Sequence, residues 1–386
     1  MRPADERLAA SPDLDRWALT RLQAAEVAVV GVGMLGGAAA LHLALLGVKL
    51  VLIDAGTVED VNLGNQMLPA TGLGEPKSVV RARQIAELNP ECRARAIARR
   101  IEDIGLAALR GAGLLVSGLD GRAGRTRVNE IASLLGIPWV DMAVDGSGRS
   151  LRGTITCYDP RRPDSPCYLC SYGARDLGAI FAEGRPTGCP SWRRRAPRVT
   201  PPTLQASAFG GVIAGFAALF STQILLDRAD RLVGRQLVVT ASDEPRVRVI
   251  TRTRAADCAG PHSDAVPLAF SAATTIADLV RSASLDLGAS PTAIVFHGRT
   301  LVRDLLCARC DGRRPLVRLA DACTEDDLRC GCGAEMAPVA LTDRLTDEAL
   351  AAVASWEEIG LPAADVVTVT ASERRGRYVV NEGRIP

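Results

Sequence analysis

Apolar and polar positions along the first 260 residues switch back and forth between two periods. A β-branched run at 27–30, a glycine-rich turn and a nearly unbroken apolar stretch at 35–46 predict a buried strand, a tight turn and a buried helix. The alternation continues with a strand at 50–54, a helix at 75–88, a strand at 95–101 and a short helix. A strand at 113–118, a helix at 125–135 and a strand at 139–144 complete it. Strands separated by helices at this spacing form a doubly wound, mostly parallel sheet with right-handed crossovers, and its strand ends leave a crevice suited to a nucleotide. An amphipathic stretch at 14–22 makes residues 1–23 an arm ahead of this domain.

The pattern then changes. A strand at 151–158 leads to a Gly-, Pro- and Arg-rich loop at about 171–203 that carries Cys189 and Arg193, Arg194 and Arg195. Loops of that length in compact domains are usually lids, binding segments or disordered. An apolar helix at 204–226 and a strand pair at 236–253 close the first domain, 24–262. After a linker at 262–267, a smaller domain over 263–386 begins with a helix at 276–287 and a strand at 293–297, then reaches a cysteine-rich stretch at 307–332.

With 47% hydrophobic and 23% charged residues the chain has the composition of a folded protein. Its 46 basic residues balance 44 acidic ones, so nucleic acid is not the default partner. Residues 27–48 are long enough to span a membrane, but their five glycines and strand–turn–helix pattern favour a buried core, and no membrane partner is expected. The N-terminal 21 residues lack a continuous apolar segment, so a cytoplasmic location is expected, where the 11 cysteines stay reduced and serve metal or catalysis. Lysine occurs only at Lys49 and Lys77, which gives either one weight wherever chemistry needs a cation.

Gly31, Gly33 and Gly36 follow the first strand and open the first helix, where backbone amides can meet phosphate. Asp54 ends the second strand, where its carboxylate can accept hydrogen bonds from ribose hydroxyls. An NAD-dependent dehydrogenase shares all of this Rossmann-like pattern; the residues after Asp54 separate the two readings. Asn62, Asn65, Gln66 and Lys77 stand in an order that resembles the ThiF/MoeB-type adenylyltransferases, relatives of the ubiquitin-activating enzymes. The resemblance spans about 27–262. It implies that Lys77 contacts the nucleotide phosphates, that Asp120 holds Mg²⁺, and that Arg125 and Asn129 join the ATP site. It departs at Asn65, where the family has arginine, and at Gly121, commonly asparagine.

Two C-x-x-C pairs exceed the chance expectation of about 0.3. Cys167 and Cys170 fit half of a tetrahedral zinc site. The family resemblance pairs them with Cys258 and, one residue beyond its usual place, His262. Cys307 and Cys310 with Cys330 and Cys332 resemble a zinc ribbon that closes the C-terminal domain, with Cys323 as a substitute ligand. The resemblance also makes Cys189 a nucleophile that takes the activated acyl group, against the alternative of an inert loop thiol. His42 on its apolar helix reads as a core residue, and Cys92 and Cys157 belong to no motif.

The resemblance implies an ATP-dependent adenylyltransferase that activates the C-terminus of a small ubiquitin-like or sulfur-carrier protein, or of a peptide, with ATP, Mg²⁺ and Zn²⁺, as a homodimer. Asn65 keeps a catalytically impaired, partner-binding relative as the alternative. The dehydrogenase stands third, because nothing after Asp54 supplies a hydride-transfer acid or base.

Overall fold

The computed structural model describes residues 15–145, 151–173, 204–241, 244–258, 260, 262, 268–270, 275–346 and 355–381. The chain forms two compact units. Of the described residues, the first holds those within 15–101, 111–173 and 204–262, and the second those within 102–110 and 268–381.

The first unit opens with helix α1 (Arg16–Ala24), started by Asp15, whose side chain accepts from the Ala18 amide at 2.7 Å. Strand β1 (Glu26–Val30) leads to helix α2 (Met34–Leu45), then β2 (Lys49–Ile53), helix α3 (Lys77–Leu88) and β3 (Ala94–Ile97). Strand β4 (Leu114–Ser117), helix α4 (Arg122–Leu135) and β5 (Trp139–Asp145) come next. They are succeeded by β6 (Leu151–Tyr158), helix α5 (Leu204–Leu225), β7 (Arg235–Ala241) and β8 (Arg246–Thr251). The sheet order is β3-β2-β1-β4-β5-β6-β7-β8. Pairing is parallel from β3 through β5 and antiparallel from β5 through β8. The wound half thus matches the alternation in the sequence, and the later strands add an antiparallel extension.

β1 is covered on both faces, so it is apolar without alternation: Val27, Ala28 and Val29 are fully buried. α2 is apolar around most of its circumference because it packs against the sheet and α5. Residues 27–48 therefore form a strand and a core helix. α5 is long and apolar enough to cross a membrane, and more than half of its apolar window is buried within the unit. His42 corrects the expectation for it: it sits on the part of α2 that faces outward and is exposed.

In the second unit β9 (Leu268–Phe270), helix α6 (Ile276–Leu287) and β10 (Ala293–Phe296) precede a three-stranded antiparallel sheet. That sheet contains β11 (Leu301–Cys307), β12 (Arg313–Leu319) and β13 (Met336–Thr342), in the order β12-β11-β13. β14 (Arg344–Thr346) and the hairpin β15 (Asp365–Ala371) and β16 (Arg374–Val380) complete a five-stranded sheet, β14-β10-β15-β16-β9, in which only β16 and β9 run parallel. Trp356, Phe296 and Tyr378 fill its core. Arg299 pairs with Asp365 at 2.6 Å, both buried, and also donates to the carbonyls of Glu102 and Ile104.

Candidate functional site

β1 and β4 are neighbours, but the strands that succeed them run outward in opposite directions. That switch of direction opens a crevice at their carboxyl ends. Gly31 closes β1 at φ +80°, and a side chain there would meet the Gly118 carbonyl, just past β4, at 2.9 Å. A Cβ at Gly36 would fall 1.9 Å from the Gly31 carbonyl, so the turn folds back onto α2 only because position 36 carries hydrogen. Gly33 is the N-cap of α2 and makes no side-chain capping bond, which leaves the amide end of the helix open to an anion.

Asp54 pins this turn to the end of β2. Its Oδ2 accepts from the Val32 amide at 2.8 Å and its Oδ1 from the Gly56 amide at 2.7 Å. A carboxylate offers about four acceptor positions, so two remain for ribose hydroxyls. Lys77 is drawn to the loop after β2, beside Asp54, by the Thr57–Pro76 bridge and by its own amide, which donates to the Gly56 carbonyl at 2.9 Å. A Cβ on Gly56 would lie 3.1 Å from Asp54 Oδ1 and 3.6 Å from Lys77 Cδ, so carboxylate and lysine stem flank one point.

Gln66 lies across the glycine turn, its amide group 3.5–3.8 Å from where a Cβ on Gly33 would be. Asn65 Oδ1 and Gln66 Oε1 are both buried without a donor. Orphaned acceptors of this kind are costly and suit a bound partner carrying donors. Asn62 has a local task instead: its side-chain oxygen accepts from the Glu59 amide at 2.9 Å and starts a one-turn helix, Asp60–Leu63.

Asp120 is exposed just beyond β4, and its carboxylate makes no hydrogen bond or ion pair among the described residues. A free carboxylate past the carboxyl end of β4 fits Mg²⁺, which takes one or two carboxylates and completes its shell with phosphate oxygens and water. Arg125 is held from below: its guanidinium lies 3.2 Å from Asp141 and donates to the carbonyls of Leu119 and Met142. Burial works against the Arg125 cation, but Asp141 and Tyr168 outweigh it and hold its pKa up. Asp141 also accepts from Ser117 Oγ at 2.6 Å, and Trp139 Nε1 donates to that same hydroxyl at 3.0 Å. This buried chain behind β4 was invisible in the sequence, as was Arg81, a fully buried guanidinium that burial draws down to about 10 while Asp54 pulls it back. Asn129 faces elsewhere, accepting from the Tyr168 amide at 2.9 Å beside the first thiol group.

Cys167, Cys170, Cys258 and His262 converge, with all ligand atoms within 4.8 Å of one another. Cys167 Sγ lies 3.6 Å from Cys258 Sγ and 3.8 Å from Cys170 Sγ, and Cys170 Sγ is 3.4 Å from His262 Nε2. A tetrahedron with zinc–sulfur distances of about 2.3 Å has edges of about 3.8 Å, so the donor set fits zinc. In the second unit Cys307 pairs with Cys332 and Cys310 with Cys330, each at 3.6 Å, and the four sulfurs again lie within 4.8 Å. The Arg309 and Cys310 amides point at the Cys307 sulfur and draw that thiol down to about 6. Cys323 is not among the four; it is buried and donates to the Leu319 carbonyl. Cys92 and Cys157 are also buried, and burial pushes their thiols up to about 11 and about 12. Cys189 and Arg193 to Arg195 lie outside the described residues.

Fold and site define a doubly wound α/β protein with a glycine turn at its crevice and, in the same unit, a cluster of three thiols and an imidazole. The chain belongs to the ThiF family, whose model matches residues 6–260. It is 29% identical over 245 residues to the SAMP-activating enzyme E1 of Haloferax volcanii, which covers 62% of this chain and 80% of that protein. It is 30% identical over 252 residues to the sulfur carrier protein adenylyltransferase of Thermus thermophilus, which covers 62% of this chain and 82% of that one. Among solved structures, E. coli MccB with succinimide shares the fold at a TM-score of 0.50 and 20% identity, covering 67% of this chain and 74% of that one.

Proposed function

We propose that the crevice between β1 and β4 binds ATP and that the protein adenylates the C-terminal carboxylate of a small ubiquitin-like or sulfur-carrier protein, or of a peptide. The observation that carries this is that Asp54 and Gln66 meet the Gly31–Gly36 turn and Lys77 flanks Asp54, in a ThiF-family chain with only two lysines. The carboxylate oxygen attacks the α-phosphorus, the bond to the bridging oxygen breaks, and pyrophosphate leaves with its electron pair. Asp54 orients the ribose, the α2 amides and the Gln66 Nε2–H hold the phosphates, and Lys77 sets positive charge where negative charge grows. Mg²⁺ on Asp120 would neutralise the departing pyrophosphate.

Zinc on the first cluster would tie β6 to the end of the first unit, and zinc on the second would close a ribbon at β11 and β13. The Cys189 thiolate would attack the carbonyl of the acyl-adenylate, breaking the acyl–phosphate bond, releasing AMP and leaving a thioester, and two copies of the chain would form the working dimer in the cytoplasm. Asn65 favours a second reading, a binding-only relative, because it removes a cation from the Gln66 loop.

ATP–pyrophosphate exchange driven by the cognate carboxylate protein separates the two. The expected result is exchange by the wild type, a loss of roughly 10²-fold or more in Lys77→Ala, and unchanged exchange but no reducible acyl adduct in Cys189→Ser. Normal exchange in Lys77→Ala would remove the adenylation assignment; absence of exchange in the wild type would favour the binding-only reading.

A further inference from the structure

Among the described residues, Arg81 is the most completely buried cation of the first unit, at 0% exposure. It makes no ion pair among the described residues. Its Nη2 donates to the Gln66 carbonyl at 2.8 Å, and its Nη1 donates to Gln84 Oε1 at 2.8 Å and to the Met67 carbonyl at 3.3 Å. Nε has no partner. A charge taken out of water with only neutral acceptors around it is expensive, and such a charge persists where a nearby anion compensates it. Asp54 is the one carboxylate whose field supports it.

The place of the guanidinium matters more than its burial. A Cβ on Gly37 would lie 2.4 Å from Arg81 Nη2 and 2.6 Å from the Val32 carbonyl, so the cation sits against the first turn of α2. It fits there only because position 37 is glycine. Through Gln66 it also grips the loop whose side chain lies over Gly33. Asn65, the neighbour of Gln66, is uncharged.

We propose that Arg81 is a positioning residue of the ATP site: its fixed charge beneath the glycine turn, transmitted through the Gln66 backbone, makes the crevice prefer a triphosphate over an uncharged nucleoside. This rests on the crevice being an ATP site. Lys77 and Arg81 lie one turn apart on α3, so the helix supplies one cation at the rim of the crevice and one beneath it. The low dielectric around Arg81 lets its charge act at a range that bulk water would screen.

The test is calorimetric binding of Mg-ATP and of adenosine to the full chain. The expected result is that Arg81→Gln, which keeps donors for the Gln66 carbonyl but removes the charge, weakens ATP binding roughly tenfold, the scale of one fixed charge at moderate dielectric, with adenosine affinity held within about twofold. Arg81→Lys should keep the wild-type ratio of the two affinities within about threefold. Thermal melting establishes that each variant is folded. Should Arg81→Gln not fold, Arg81→Met is the neutral variant; should neither fold, Arg81→Lys decides alone. Equal loss of ATP and adenosine affinity in the neutral variant, an unchanged ratio in it, or a lost ratio in folded Arg81→Lys each overturns the proposal. Wild-type protein that binds no ATP overturns the ATP reading as well, which sets that failure apart.

Discussion

At the scale of single residues, the side chains with the largest electrostatic stakes are those the sequence displayed least. Lys77 stood out because lysine is so rare in this chain, and the glycines stood out because they punctuate an apolar run. Asp141 gave no such signal: a carboxylate in a strand reads as an exposed position until β6 and α4 are seen to cover it. Burial pushes the Asp141 carboxyl above its ordinary value, with Arg125 and Ser117 opposing. The folded state therefore binds this proton more tightly than the unfolded chain, where aspartate titrates near about 3.9. Stability from this group is highest below that value and declines as pH rises through the raised folded-state value. Asparagine does not titrate, so wild-type stability minus that of Asp141→Asn should fall as pH rises across this window. Urea midpoints taken at a series of pH values, starting at 4, give the difference; a flat or rising one would show that the carboxyl is not held up by burial.

Among the elements, strongly periodic segments were legible and their neighbours in the sheet were not. The strand–helix alternation announced the parallel half, because a strand covered on both faces carries an unbroken apolar run, as β1 and β4 do. β3 is shorter than its apolar pattern suggested, since it ends at Ile97 and 3₁₀ turns come after it. The antiparallel run β6-β7-β8 could not be read from its pattern, as pairing direction depends on where α5 returns the chain. The two C-x-x-C pairs were legible as halves of metal sites, since ligand spacing is a local property. That Cys258 and His262 join Cys167 and Cys170 came from the family resemblance and not from local spacing, and the folded chain brings the four together. If both clusters hold zinc, the purified protein contains two zinc ions per chain, and Cys310→Ser retains one, read by elemental analysis. A wild type free of zinc would return these eight side chains to plain thiols and an imidazole; two ions kept in Cys310→Ser would show that the second cluster is not a site.

For the whole molecule, family membership, the doubly wound sheet and the glycine turn all concern the first unit, while the second contributes a mixed sheet and four converging thiols. One surprise of organisation is that residues 102–110, which come after β3 in sequence, belong to the second unit, where the Leu106 amide donates to Asp365 and the Ala107 amide to the Ala364 carbonyl. Local pattern could not show this, because the deciding partners lie more than 250 residues away. The central claim is that Asp54, Lys77 and Asp120 surround an ATP site. It is tested most directly by titrating Mg-ATP and NAD separately into wild-type protein and into Lys77→Ala. The expected result is binding of Mg-ATP but not NAD by the wild type, with ATP affinity clearly weakened in the variant; binding of NAD without ATP, or ATP affinity indifferent to Lys77, would contradict it.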